Sequence, residues 1–383
     1  MKIITLSLAL AIISFGCTHL EHFKIPVRTF IDQKNINSVS VEAKLQDITD
    51  TVVNENKLIG VQVSIKYLDG NIWNGASGTI DLERMLPMTT DHLIRIGSLT
   101  KTYTAVLIFR LIEKGIISLD DNINKWFPEY NYGNLITVRM LLNHSSGVPE
   151  LLGMKAMFVS SLKSQKRWSE EDLLDLILDE KLDFDPGTDM QYSNSNYVLL
   201  GILAERSTGK SLHTLYSEEI FGPLSLMHTY FLPADSIPHN LVTGYDRDLI
   251  PLPGWHTTEP ENTAWSSCAY SSGGMAASAS DVLIFLDAIQ KKRIINTNSY
   301  DLMTQFVKSK NPKDKYLENF GMGLFKFGDY YEGAIGHLGL FVGSEAIGIY
   351  SLEKKFIIVV LANVSRIINS DALIRKYLNI LLN

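Results

Sequence analysis

The sequence predicts an α+β fold: a mainly antiparallel β-sheet flanked by N- and C-terminal helices, with a large helical lobe inserted. Three observations predict it. An amphipathic helix and a hairpin come first, helical periodicities fill the middle, and β-rich runs followed by one more amphipathic helix close the chain. Strands at the two ends can share one sheet, with the terminal helices on one face, if the middle folds as its own lobe.

Between residues 39 and 58, Val41, Leu45, Ile48, Val52 and Val53 recur at helical spacing. Val61, Val63, Ile65 and Tyr67 alternate with Gln62, Ser64 and Lys66, the pattern of a half-buried strand. Asp69-Gly70 is a strong hairpin signal, and residues 71–80 supply the return strand. Leu93 to Ile96 lead into a buried helix carrying Ala105, Val106, Leu107, Ile108, Leu111 and Ile112. Thr137 to Asn143 read as a short helix that runs into His144-Ser145-Ser146-Gly147-Val148-Pro149. Glu170 to Leu182 is helical, and its acids form a solvated face because no His or Cys accompanies them as metal ligands. Asp185-Pro186-Gly187 breaks the chain before Tyr192 to Tyr197, and 198–207 is helical again. Residues 232–265 are loop-like, with His239, Trp255 and His256, and long loops often shape a site. Gly273-Gly274-Met275 precedes a helix from Ser280 to Ala288. After Tyr316 strands return, at 341–350 and 355–361, and a helix over 373–382 ends the chain. One lobe is therefore 39–104 with 316–383, the helical lobe is 105–315, and a ligand is expected between them. Met154, Met157 and Phe158 read as core or cleft wall.

At 383 residues, 45% of them hydrophobic, the chain can bury a large core. Its 35 Lys and Arg against 42 Asp and Glu leave a net charge of −7 with no basic stripe, which argues against nucleic-acid binding. No dinucleotide fingerprint, P-loop or H-E-x-x-H is present, so neither a metal nor a cofactor is expected.

Met1-Lys2 followed by an apolar run from Ile3 to Gly16 has the form of a signal peptide, residues 1–16, and is too short to span a bilayer comfortably. Its end, Ser14-Phe15-Gly16-Cys17, resembles a bacterial lipoprotein signal, with Ser14 where Leu is usual. The resemblance implies lipidation of Cys17, a tether over 17–38, export, and a membrane-anchored periplasmic protein. The other cysteine, Cys268, lies in a run of small residues and reads as a buried structural thiol.

Ser98-Leu99-Thr100-Lys101 places a hydroxyl and an amine at i and i+3, on one face of a helix. Ser98 would sit at the helix N-terminus, where free backbone N–H groups favour developing negative charge. A Ser hydroxyl needs an adjacent base, and Lys can serve when burial lowers its pKa.

Together with Tyr192-Ser193-Asn194 and His337-Leu338-Gly339, this motif resembles the S-x-x-K, Y-x-N and H/K-x-G triplet of penicillin-recognising serine hydrolases, in their class C β-lactamase-like branch. Leu141 to Gly147, Asp185-Pro186-Gly187 and Gly273-Gly274-Met275 match in the same order, so the resemblance covers roughly residues 40–380. It implies a β-lactamase/transpeptidase-like fold and a role for each residue. Ser98 becomes the acyl-enzyme, Lys101 assists its deprotonation, Tyr192 shuttles the proton, and Asn194 holds the substrate's amide. His337, in place of the Lys common in true β-lactamases, is a fourth catalytic residue on the strand that lines the cleft, Gly339 and Leu340 face the substrate, and the backbone N–H groups of Ser98 and Leu340 form the oxyanion hole. A Tyr beside a cation is expected to shift toward its anion, and a Lys facing it toward neutrality. His144 and Ser145 read as a structural turn.

Two departures narrow the function. His337 replaces the usual Lys and Leu338 the usual Thr or Ser, which removes a fixed cation and a hydroxyl that would bind a carboxylate. The expected activity is therefore that of an esterase or broad acyl hydrolase acting on a small-molecule or peptide acyl substrate. The alternatives are a D,D-carboxypeptidase or β-lactamase, and a non-catalytic sensor that binds penicillin or peptidoglycan.

Overall fold

The computed structural model describes residues 40–55, 58–67, 69–153, 156, 159–160, 163–246, 256–308, 319–328, 331–365 and 370–382. The signal peptide, the tether, Cys17, Met154, Met157, Phe158, Trp255 and Tyr316 lie outside these residues.

Helix α1 (Val41–Glu55) leads into the hairpin β1 (Gly60–Lys66) and β2 (Ile72–Gly78). A two-residue strand β3 (Ile94–Arg95) precedes the 3-10 turn Gly97–Leu99 and helix α2 (Thr100–Glu113). The inserted lobe then supplies α3 (Val138–Leu142), α4 (Glu170–Leu174), α5 (Asn194–Thr208), α6 (Leu212–Tyr216), α7 (Gly222–Leu224) and α8 (Thr263–Gly273). The short strands β4 (Thr229–Phe231), β5 (Gly244–Asp246), β6 (His256–Thr258) and β7 (Met275–Ala277) lie among them. Next come α9 (Ala279–Gln290), α10 (Thr297–Met303), β8 (Val307–Lys308), β9 (Asn319–Phe320), β10 (Phe325–Lys326), β11 (Ile335–Phe341), β12 (Ser344–Ser351), β13 (Phe356–Ala362) and α11 (Ser370–Leu382).

The main sheet runs β2-β1-β13-β12-β11-β10-β9-β8, and every paired neighbour is antiparallel. The two chain ends meet one strand in from its β2 edge, where Val63 of β1 lies opposite Val360 of β13. Strand β13 is apolar throughout because both its faces are covered. Phe356, Ile358 and Val360 point to the core under α1 and α11, which includes Leu45, Val53, Ile374 and Tyr377. Ile357, Val359 and Leu361 point to the opposite core, which reaches α9 and the inserted lobe.

The same double cover corrects the alternating reading of β1. Gln62 and Ser64 are fully buried. They survive there because each is hydrogen-bonded: Gln62 Nε2 donates to the carbonyls of Thr89 and His92, both at 2.7 Å, and Ser64 Oγ donates to Asn74 Oδ1 at 2.6 Å. The helical lobe also differs in composition from its sequence reading. It carries β4 to β7, α4 ends at Leu174, and α9 packs on β13 and β1 of the main sheet. Among the described residues no helix is long and apolar enough to cross a membrane.

Tyr377 on α11 meets Thr49 on α1 through their hydroxyls at 2.9 Å, inside the core, while Thr49 also donates to the Leu45 carbonyl. Tyr377→Phe removes only the inter-helix bond. It should lower the unfolding free energy by about 1 kcal/mol, read from the urea midpoint at unchanged slope.

Candidate active site

Three backbone approaches place Ser98. Strand β3 pairs with β7, and Ile96 N–H extends that pairing to the Met275 carbonyl at 3.0 Å. Strand β11 then presses against the turn itself. A Cβ on Gly339 would lie 1.9 Å from the Ile96 carbonyl oxygen, and one on Gly97, whose φ is +49°, would lie 2.6 Å from the Leu340 carbonyl oxygen. Only glycine admits that contact, and it brings the backbone of Leu340 beside that of Ser98. Behind Ser98, α2 is buried from Thr100 to Phe109, as expected of a helix with lobes packed on all sides.

Lys101 is fully buried one turn along α2. Its Nζ lies 3.1 Å from Ser98 Oγ, 2.6 Å from Asn194 Oδ1 and 2.7 Å from the Ser272 carbonyl oxygen. Burial pulls its pKa down to about 7, against a smaller opposing pull from Glu150. In the neutral amine, two N–H bonds satisfy Asn194 and Ser272, and the remaining lone pair faces the Ser98 hydroxyl. The Ser272 carbonyl is delivered by a break in α8 at Tyr270 (φ 42°, ψ −129°), a strained backbone of the kind that collects at functional sites.

Tyr192 stands just before α5, and its hydroxyl hydrogen-bonds Ser98. Burial raises the phenol's pKa well above its ordinary value. The expectation of a phenolate is thereby reversed, because the loss of hydration outweighs the hydrogen bond from Ser98 and the nearby Glu150 carboxylate adds to the rise. Lys101 Nζ sits 4.9 Å from the Tyr192 ring centroid.

Asn194 opens α5. Its Oδ1 is taken by Lys101, and its Nδ2 donates to Glu150 Oε2 at 3.0 Å, so one N–H is left for a substrate. Glu150 Oε2 also accepts Asn194 N–H at 2.8 Å. No motif marks Glu150 in the sequence.

His337 departs most from expectation. It lies on β11 but is buried, packed 4.6 Å from Phe325 and 6.4 Å from Tyr192 by ring centroids, and its Nδ1 meets the carbonyl of Leu338. Burial first, and Lys101 second, pull its pKa down to about 3. It is therefore a neutral ring below the tyrosine, and the site has no second cation there. Leu338 packs toward the core beneath α1 and α11.

A cavity of about 290 Å³ opens at Ser98, lined by Leu152, Trp265, Leu340, Phe341 and Val342 together with Asn194 and Ser272. No sequence motif marks its apolar wall, whose residues come from distant segments. Arg95, three residues before Ser98, anchors that wall. Its buried guanidinium donates to the carbonyls of Glu259 (3.0 Å) and Pro260 (3.1 Å) and lies 6.0 Å from the Phe341 ring centroid.

The family model described as Beta-lactamase matches residues 44–379. The chain belongs to this family of serine hydrolases. Among curated relatives, esterase EstB of Burkholderia gladioli is 30% identical over 285 residues, covering 67% of this chain and 72% of the esterase. Penicillin-binding protein 4* of Bacillus subtilis (strain 168) is 30% identical over 187 residues, which are 48% of this chain but 40% of that protein. The crystal structure of the D-amino acid amidase from Ochrobactrum anthropi SV3, complexed with L-phenylalanine amide, superposes with a TM-score of 0.79 at 26% identity, covering 90% of this chain and 99% of the amidase. The β-lactamase/transpeptidase-like α+β fold is thus that of its structural neighbours.

The buried amine predicts how Ser98 reactivity depends on pH. An ammonium has no lone pair to take the serine proton. The rate at which a fluorophosphonate labels Ser98, followed by intact-protein mass, should therefore fall about tenfold per pH unit below about pH 7 and level off above it. Lys101→Met should remove the inflection and slow labelling by about 10²–10⁴.

Proposed function

We propose that this chain hydrolyses neutral esters, and acyl compounds more broadly, through an acyl-enzyme on Ser98. The observation that carries the reading is Lys101: a fully buried amine with its pKa brought down to about 7, 3.1 Å from the Ser98 hydroxyl. Ser98 Oγ attacks the acyl carbonyl, and its proton passes to Lys101. The carbonyl oxygen, now negative, is held by the backbone N–H groups of Ser98 and Leu340, each such donor being worth roughly 3 kcal/mol in the transition state. As the carbon–oxygen bond to the leaving group breaks, the alcohol takes a proton from the neutral Tyr192 hydroxyl, which Lys101 replenishes. Water then enters the vacated position, gives its proton back along the same route, and releases the carboxylic acid and free Ser98.

The cavity's apolar wall supports a compact apolar acyl group. Neutral His337 and the apolar Leu338 offer a substrate carboxylate no anchor, and Glu150 beside Asn194 repels one. That weighs against D-Ala-D-Ala peptides and β-lactams as preferred substrates. The similarity to esterase EstB agrees with this preference. Export and a lipid anchor at Cys17 belong to the same proposal, on the strength of the N-terminal sequence alone.

Three substrates assayed in parallel test the reading: a short-chain p-nitrophenyl ester, nitrocefin and a D-Ala-D-Ala peptide. The ester should be preferred over the other two by about 10² in kcat/KM, equivalent to about 2.7 kcal/mol. Ser98→Ala should abolish ester turnover, and full residual activity would overturn the mechanism. Fractionating a bacterial host that expresses the full chain tests the anchor. Wild type should partition with membranes and Cys17→Ala should not.

A further inference from the structure

The sequence places His144 in a structural turn. It is fully buried, and its backbone is left-handed, with φ at +60°, a conformation uncommon in residues other than glycine. Its carbonyl accepts Gln191 N–H at 3.1 Å, and its Nδ1 accepts Ser193 N–H at 3.2 Å. The residues on either side of Tyr192 are therefore both bonded to one histidine. The ring of that histidine also lies 4.6 Å from the Tyr192 ring, at 30° between planes, and Phe320 packs edge-on against it at 4.5 Å.

The hydrogen bonds define the tautomer. Because Nδ1 accepts a backbone N–H, the ring proton is on Nε2 and the ring is neutral. Asn196 Nδ2, 3.0 Å from the same Nδ1, adds a second donor, and Asn196 Oδ1 is in turn held by the Ser146 hydroxyl at 2.5 Å. A left-handed residue persists where its surroundings over-determine it, and here five contacts do so.

We propose that His144 is the positioning residue for Tyr192. It fixes the backbone on both sides of the tyrosine and the plane of its ring, and so holds the phenol on Ser98. It touches neither Ser98 nor the cavity and acts only through the tyrosine. The proposal rests on the reading that Ser98 is acylated and Tyr192 relays the proton.

A double-mutant cycle on ester turnover tests it, with Ser98→Ala as the control. His144→Leu keeps the bulk but deletes the acceptor. It should lower kcat by about 10² while KM moves less than about threefold. In a Tyr192→Phe background the same substitution should cost less than about threefold, since residues that act as a unit are not additive. His144→Asn tolerates the left-handed backbone and places an amide oxygen where Nδ1 stood, so it should recover kcat to within about tenfold of wild type. Should the leucine variant fail to fold, His144→Gln keeps the polarity but moves the acceptor one carbon outward, and should still lower kcat by at least about tenfold. Wild-type kcat in the folded His144→Leu or His144→Gln variant overturns the proposal, and so does an equal loss in the wild-type and Tyr192→Phe backgrounds. These outcomes leave the acyl-enzyme standing as long as Ser98→Ala is inactive. Turnover that survives Ser98→Ala removes the acyl-enzyme itself.

Discussion

The site depends on one amine being kept out of water. An exposed Lys101 would stay protonated at neutral pH and could take nothing from Ser98. Within the packed junction of α2, α5 and α8, its charged form loses hydration that three fixed acceptors replace only in part. Burial thus turns an ordinary lysine into a candidate base. Burial of the whole first part of α2 serves the same end: its neighbouring Thr102 and Thr104 hydroxyls are spent on the carbonyls of Gly323 and Ser271, so protein groups stand around the amine where water would restore the ammonium.

The rest of the fold supplies those walls. The sheet joins the chain's two ends at β1 and β13 and carries β11 up to the turn at Gly97. The inserted lobe delivers Tyr192 just before α5, Asn194 as its first residue, and the Ser272 carbonyl from the break in α8. Each contribution is a backbone carbonyl, a short amide or, for Tyr192, a ring packed among other rings, held in or beside a helix end, which is the arrangement a preorganised site needs. The apolar cavity is the remaining face of the same junction, walled by Trp265, Phe341 and Val342.

Much of this was legible in the chain. The i, i+3 spacing of Ser98 and Lys101 predicts a shared helix face, and they share one. The hairpin at Asp69-Gly70, the strands near the C-terminus and the two terminal helices follow from local period and turn chemistry. The triplet motif pointed to residues that the fold brings together. Other features were not legible. Glu150 has no motif because its role arises from where a loop happens to run. Gln62 and Ser64 look solvent-facing by alternation, and are buried because α9 and the inserted lobe cover the second face of the sheet.

The protonation states mark the division. The sequence by itself determined which ionisable groups are available, their spacing along helices and strands, and hence the fold class and the candidate nucleophile with its amine. Only the tertiary structure decided how those groups ionise. Tyr192 is raised where proximity to a cation suggested lowering, His337 is neutral where a cation was conceivable, and Lys101 titrates near neutrality. The physical reason is that a pKa shift sums desolvation and field over every segment packed around a group. For Lys101 those segments lie 93 and 171 residues away along the chain, and no local pattern encodes them.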